Sequence, residues 1–398
     1  MIDQPQHVVI LFFEKSLLLE DSPVRQSQVL GLANQLSKQK FNVTLIIEYQ
    51  DHKSVLDVLD LRVSRDINVR LIKKKDFFST FVTSLRILCS ANFDGCRPLI
   101  YTRNIWTSIA SLVACWMKGY QYIYDIRGDI SAESKYKKDP FFKTISFSAL
   151  HIISITRARI IMTVSSALTN KTKEWFPGKI IHTIPCLTNA RAFTLQDREA
   201  VRQKLKFQES DVVFIYSGGV APYQRLDLTI KMFNALSKQN ESYKFLLLTH
   251  KQLSNTNQGF FPEILSPNII CLQVAQHQVH QYLCASDIAF VIRDNHPLNI
   301  SASPVKCAEY LSAGLALVAT PYVGDYSAFI KEHDAGLIID QYENVDSSVN
   351  EIVRFVHANN VLSISNKQRI SSLAKDCLSW SSYQIVLQGI FSSVRETK

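Results

Sequence analysis

The sequence has no run of about 18 uninterrupted apolar residues, the length a helix needs to cross a bilayer. Its two longest apolar stretches, 105–117 and 145–164, are dotted with Ser and Thr or broken by Arg157 and Arg159. Both read as buried helix and strand material. The eight cysteines form no CxxC pair, which excludes a zinc ribbon and a disulfide framework and suits reduced thiols in the cytoplasm. His277 and His280 lie at helical spacing with no third ligand near them in sequence, so they do not read as a metal site. No D-x-D string is present, and the first strand is not followed by G-x-G-x-x-G, the turn that marks nicotinamide and flavin sites. The opening residues, MIDQPQ, are acidic and polar rather than leader-like. There is no internal repeat and no low-complexity tract.

What is present describes a folded globular chain: 46% hydrophobic and 20% charged residues. At 398 residues it exceeds one ordinary core and suits two α/β domains. The net charge of +9 favours anionic partners such as nucleotide sugars or lipid surfaces; no nucleic-acid module is present. Short apolar runs alternate with helical segments in both halves. In the first half, 7–13, 42–47, 69–78, 97–104, 120–130 and 179–193 read as strands. Ligands of open α/β sheets bind outside the carboxyl ends of strands, which makes Arg103, Asp125 and Arg127 candidates by position. An Asp–Arg pair so close together serves a ligand or braces a loop. Arg25, in the first turn of a helix opened by Ser22 and Pro23, reads equally as a site residue or as plain surface.

The second half opens on a strand, a Ser-Gly-Gly turn and a helix from about Leu226. Gly218 and Gly219 let a backbone approach a ligand closely. The most informative stretch runs from Ser303 to Asp325. Ser303 reads as a helix N-cap, Pro304 as the first helical residue, Gly314 as the stop, and LALVAT as a buried strand. Lys306 and Glu309 share one helix face. A lysine in the first turn can meet a diphosphate, and a carboxylate one turn deeper can accept from two sugar hydroxyls. On an arbitrary helix the same pair is a solvated face.

P-x-K-x-x-E-Y-L-x-x-G followed by a strand and a Gly-Asp turn resembles the donor motif of retaining glycosyltransferases of family 4, which have the GT-B fold. Y-D-I-R-G at 124–128 resembles the D-x-R-G turn of a subset of that family, and 184–193 resembles its linker motif with Asn189 in place of aspartate. The strand, glycine turn and helix from Asp211 resemble the family's Y-x-G-x-x-x-x-x-K/Q-G-x-D but depart from it, with Gln224 where lysine is common and Arg225 in place of a glycine. Eight residues before Glu309, Ser301 occupies the position of a first glutamate.

The resemblance implies two Rossmann-like domains facing across a cleft. They span 1–194 on the acceptor side and 195–378 on the nucleotide-sugar side, with 379–398 packing back on the first. It assigns Glu309 to the ribose. Lys306, Arg225, Gln224 and the backbone near Gly219, Ser303 and Pro304 would hold the diphosphate. Asp125 and Arg127 would sit with the catalytic groups, Arg103 would face the acceptor, and Asp287 would be a structural cap. The implied reaction is sugar transfer from a nucleotide-diphosphate sugar to a glycan or lipid-linked acceptor in cell-surface polysaccharide synthesis, retaining, with protein cations in place of a metal and no cofactor besides the donor. Basic–aromatic knots at 73–78 and 134–143 suit an anionic membrane surface, hence a peripheral protein on its inner face, or are solvated loops. Two other readings share the fold: a catalytically inactive binding or regulatory protein, and a sugar-nucleotide epimerase.

Overall fold

The computed structural model describes residues 6–12, 23–49, 63–73, 76–90, 93, 97–103, 105–189, 191–249, 266–358 and 360–394. Packing divides the chain into two units, 1–187 with 380–398, and 188–379. Ser22, Lys74 and Lys75 lie outside the described residues, as does the side chain of Arg25.

The first unit is a parallel sheet of β1 His7–Phe12, β2 Asn42–Tyr49, β3 Asn68–Lys73, β4 Leu99–Thr102, β5 Gln121–Ile126, β6 Ile160–Thr163 and β7 Ile180–Thr183. Their spatial order is β3-β2-β1-β4-β5-β6-β7. β1 is central and apolar on both faces because helices cover each side: Val8 and Ile10 belong to one core, Val9 and Leu11 to the other. Each fully buried side chain of this kind contributes about 1.5–3 kcal/mol. Helix Gln384–Ser392 completes one face, with the Phe391 ring centroid 6.2 Å from Phe41 and 6.1 Å from Tyr101. The Trp380 indole lies on Gly31, where an added Cβ would sit 2.2 Å from Nε1. Only a glycine in helix Pro23–Lys38 admits it.

The second unit is a parallel sheet of β8 Val212–Ser217, β9 Tyr243–Leu248, β10 Ile269–Leu272, β11 Ile288–Val291, β12 Ala316–Ala319 and β13 Gly336–Ile338, in the order β10-β9-β8-β11-β12-β13. A stack of Phe214, Phe233, Phe245 and Phe290 fills its centre. Asp287 is 2% exposed and collects three cations: Arg198 at 2.9 Å, Lys367 at 3.4 Å and Arg202 at 3.5 Å. It also accepts from the Val213 N–H at 2.8 Å. Asp287 therefore braces β8 and β11 against the helices around them.

Several elements depart from the sequence reading. The strand expected over 69–78 stops at Lys73, and Phe77 opens helix Phe77–Ser90. The strand expected to run to Ile130 stops at Ile126, and Asp129 caps helix Ile130–Tyr136 by accepting from the N–H groups of Ser131 and Ala132. Ser303 is not the cap of its helix: Pro304 takes that position at φ −69°, ψ 112°, and the helix runs Val305–Ser312. Proline disfavours α geometry in the residue before it, which holds Ser303 outside. The stretches 105–117 and 145–164 are not uniformly buried. Helix Ile105–Lys118 exposes Trp106, Trp116 and Met117, and helix Phe141–Arg157 exposes Ile145, Ile152 and Ile153. No helix among the described residues is long and apolar enough to cross a membrane.

Candidate active site

Each sheet reverses its strand order beside its first strand, between β1 and β4 and between β8 and β11. Such switch points open a crevice at the carboxyl ends of the strands. In the second unit β8 ends at Ser217, whose N–H donates to the Tyr310 hydroxyl at 2.8 Å and whose carbonyl accepts from it at 3.0 Å. This pair of hydrogen bonds ties the turn to helix Val305–Ser312. Gly218 follows at φ +140°, a conformation L-residues avoid, and a Cβ there would lie 3.2 Å from Lys306 Nζ. Around Gly219 the space is open.

Lys306 donates to Gln224 Oε1 at 3.0 Å and lies 4.3 Å from the centroid of the Tyr216 ring. Arg293, just past β11 and 5% exposed, donates to the same oxygen at 3.2 Å through Nη2 and to Asn299 Oδ1 at 3.1 Å through Nη1. Its Nε has no hydrogen-bond partner among the described residues. Two cations thus converge on one neutral amide oxygen, and no carboxylate among the described residues pairs with either. Burial, with Arg293 beside it, lowers the Lys306 ammonium to about 7. Burial raises the Glu309 carboxyl to about 7 against the pull of Lys306. Burial also lowers Arg293 from its ordinary value. The arrangement is short of negative charge, as a site that binds an anion should be.

Arg225 stands apart from this pair in its bonding. At φ 44°, ψ 44° it is left-handed, a conformation that favours glycine. Its guanidinium holds Asp294 and, at 3.3 Å, Asp227. Burial works against its charge, but the two carboxylates hold it above the ordinary value. The Ser301 hydroxyl turns back to the Pro297 carbonyl at 2.7 Å. Ser303 and Pro304 lead directly into the helix that carries Lys306.

Arg293, Asn299, Tyr216 and Tyr310 are candidate site residues that the sequence reading missed. Arg293 follows the strand in DIAFVIRD, the same kind of position that marked Arg103 in the first half.

In the first unit Arg103, Asp125 and Arg127 line one cavity of about 360 Å³ with Trp106 and Phe147. Asp125, 1% exposed, accepts from the Tyr101 hydroxyl at 2.5 Å and from Arg127 at 3.3 Å. Arg127 reaches Gln28 Oε1 at 3.2 Å as well. Burial opposes the charge of Arg127, yet Asp125 holds its pKa above the ordinary value. Arg103 is held below its ordinary value by burial and by neighbouring Arg127. The fold also gives His280 neighbours that sequence spacing hid: Asp197 and Cys284 bring their ligand atoms within 4.8 Å. Burial pushes the Cys284 thiol up to about 11, so at neutral pH this cluster is a protonated thiol beside an imidazole.

Residues 197–372 match the family model described as Glycosyl transferases group 1. No curated protein matches the chain in sequence. Among solved structures, sucrose-phosphate synthase from Thermosynechococcus elongatus is similar with a TM-score of 0.72 at 12% identity, over 98% of this chain and 99% of that one. Anabaena HepE in complex with UDP and glucose is similar with a TM-score of 0.69 at 11% identity, over 98% and 100%. WaaG, a glycosyltransferase involved in lipopolysaccharide biosynthesis, is similar with a TM-score of 0.66 at 12% identity, over 96% and 98%. These likenesses show the fold, an α/β architecture of the GT-B kind.

Proposed function

We propose that the chain moves a sugar from a nucleoside diphosphate sugar to a glycan or lipid-linked acceptor, with retention of configuration; the match of residues 197–372 to the model of Glycosyl transferases group 1 supports this reading. The observation that carries the donor side is the convergence of Lys306 and Arg293 on the single oxygen of Gln224. A diphosphate arriving there replaces one neutral acceptor with several anionic ones. As the sugar–oxygen bond breaks, the leaving diphosphate gains charge and both cations bind it more strongly. Stabilisation that grows in the transition state is what accelerates the step.

Glu309 accepts from the ribose hydroxyls, and the open space at Gly219 lets the backbone approach the phosphates. Arg225 reaches a phosphate only by releasing Asp294 and Asp227. In the first unit Asp125 and Arg127 are fixed by Tyr101 and Gln28, which supports a role in positioning the acceptor hydroxyl, with Arg103 beside them. The protein's own cations neutralise the diphosphate in this reading.

Calorimetric titration with UDP-glucose, GDP-mannose and UDP tests the donor reading. Binding of one of them, weakened in Lys306→Met and Glu309→Gln with the melting curve unchanged, is the expected result. Failure of every nucleotide to bind overturns it. Conversion of the donor without any acceptor turns the reading into an epimerase.

A further inference from the structure

Helix Phe141–Arg157 of the first unit carries an apolar stripe on its outer side. Phe142, Ile145, Ala149, Ile152 and Thr156 follow at spacings of three and four, with Ile153 beside them, and all are exposed. Phe142 is 81% exposed, and Ile145, Ile152 and Ile153 lie between 44% and 49%. A surface helix of a globular protein normally points such a stripe at the core. Single exposed apolar residues need no explanation, but a periodic face of them does.

Three of the four tryptophans flank this helix. Trp106 packs edge-on to Phe147 at 5.3 Å, Trp116 lines a groove of about 700 Å³ with Ile153, and Trp175 lines a second groove with Ile152. Trp116 is 79% exposed and Trp175 68%. Arg157, Arg159 and Lys179 line the groove of Trp116. Residues 105–180 hold eleven Lys and Arg against five Asp and Glu, a surplus of six out of the chain's net nine.

We propose that this face docks on an anionic lipid surface, with helix Phe141–Arg157 lying in the plane of the interface. Apolar residues along one side enter the acyl boundary, tryptophans settle at the headgroup level, and the cations meet anionic headgroups. A second copy of the chain would bring the same positive surplus against itself, so charge favours the lipid. The second basic–aromatic knot belongs to this face: Phe141 and Phe142 open the helix and Lys143 follows them. The inference rests on the first unit alone, independently of sugar transfer.

The test is co-sedimentation of the full chain, without donor or acceptor, with vesicles of phosphatidylcholine alone and of phosphatidylcholine and phosphatidylglycerol in equal parts. The unaltered protein should sediment with the anionic vesicles and its tryptophan emission should shift to the blue. The variant Phe142→Ser/Ile145→Ser/Ile153→Ser should bind roughly tenfold or more weakly. Arg157→Ser/Arg159→Ser should bind more weakly and depend less on salt. These positions are solvent-facing, and an unchanged melting curve checks that each variant is folded. Equal sedimentation of the apolar variant and the unaltered protein overturns the proposal, as does equal binding to neutral and anionic vesicles. Self-association without vesicle binding, abolished in the apolar variant, overturns it in favour of a second copy.

Discussion

Lys306 donates to the side-chain oxygen of Gln224 across 3.0 Å, and among the described residues that oxygen is its sole hydrogen-bond acceptor. Glutamine at this position therefore does more than omit a lysine. It gathers the ammonium and the Arg293 guanidinium around one point and leaves both with unspent charge. Arg225 has spent its charge on Asp294 and Asp227.

The order of the cations follows. Lys306→Met and Arg293→Met should each lower kcat by roughly 100-fold, the usual cost of removing one preorganised partner of a developing charge. Arg225→Ala should cost much less. Steady-state kinetics on the three variants measure this, and a larger loss in Arg225→Ala would return the phosphate contact to that residue.

Glu309→Gln should weaken donor binding and leave folding untouched, since the carboxylate lies half-buried one turn into its helix and has no structural partner among the described residues. Calorimetry with the donor and a thermal melt separate the two effects. Unchanged affinity would remove Glu309 from the site.

The pH profile of donor affinity should be bell-shaped about neutrality. Lys306 titrates near 7 in the free protein, and a bound anion strengthens its charged form, so affinity falls as pH rises through that value. Glu309 also titrates near 7, and its carboxylate is the better acceptor, so affinity falls as pH drops. Glu309→Gln should keep only the alkaline fall, and Lys306→Met only the acid one. Retention of both limbs in either variant would assign them to other groups.

Asp287→Ala should destabilise the second unit by about 3–5 kcal/mol, because it strands three buried or half-buried cations at once. Lys367→Met should cost far less. Burial already lowers the pKa of that lysine to about 8, and its removal leaves Asp287 with two arginines. Chemical denaturation of both variants gives the comparison.

Much of this was legible in the sequence where the signal was local. β1, β2 and β8 announce themselves as apolar runs, and the spacing of Lys306 and Glu309 places them on one face before any coordinates. Arg293 was hidden because its partner Gln224 lies 69 residues away, and only the sheet order brings them together. The cap at Pro304 shifted by one residue through a backbone preference that competes with the serine side chain. Helix Phe141–Arg157 was misjudged for a different reason. Periodicity shows that a helix has an apolar face, but it does not say whether protein or another medium covers it.

The return of residues 380–394 to the first unit fixes an order in time. The amino-terminal unit leaves the ribosome before the second unit, yet it lacks Trp380 and Phe391 until the second unit has been made. At about 5–20 residues per second, synthesis of the intervening second unit imposes a wait of roughly ten to forty seconds. During that interval Phe41, Tyr101 and the groove at Gly31 stand uncovered. Of the two units, the one begun earlier is therefore finished later.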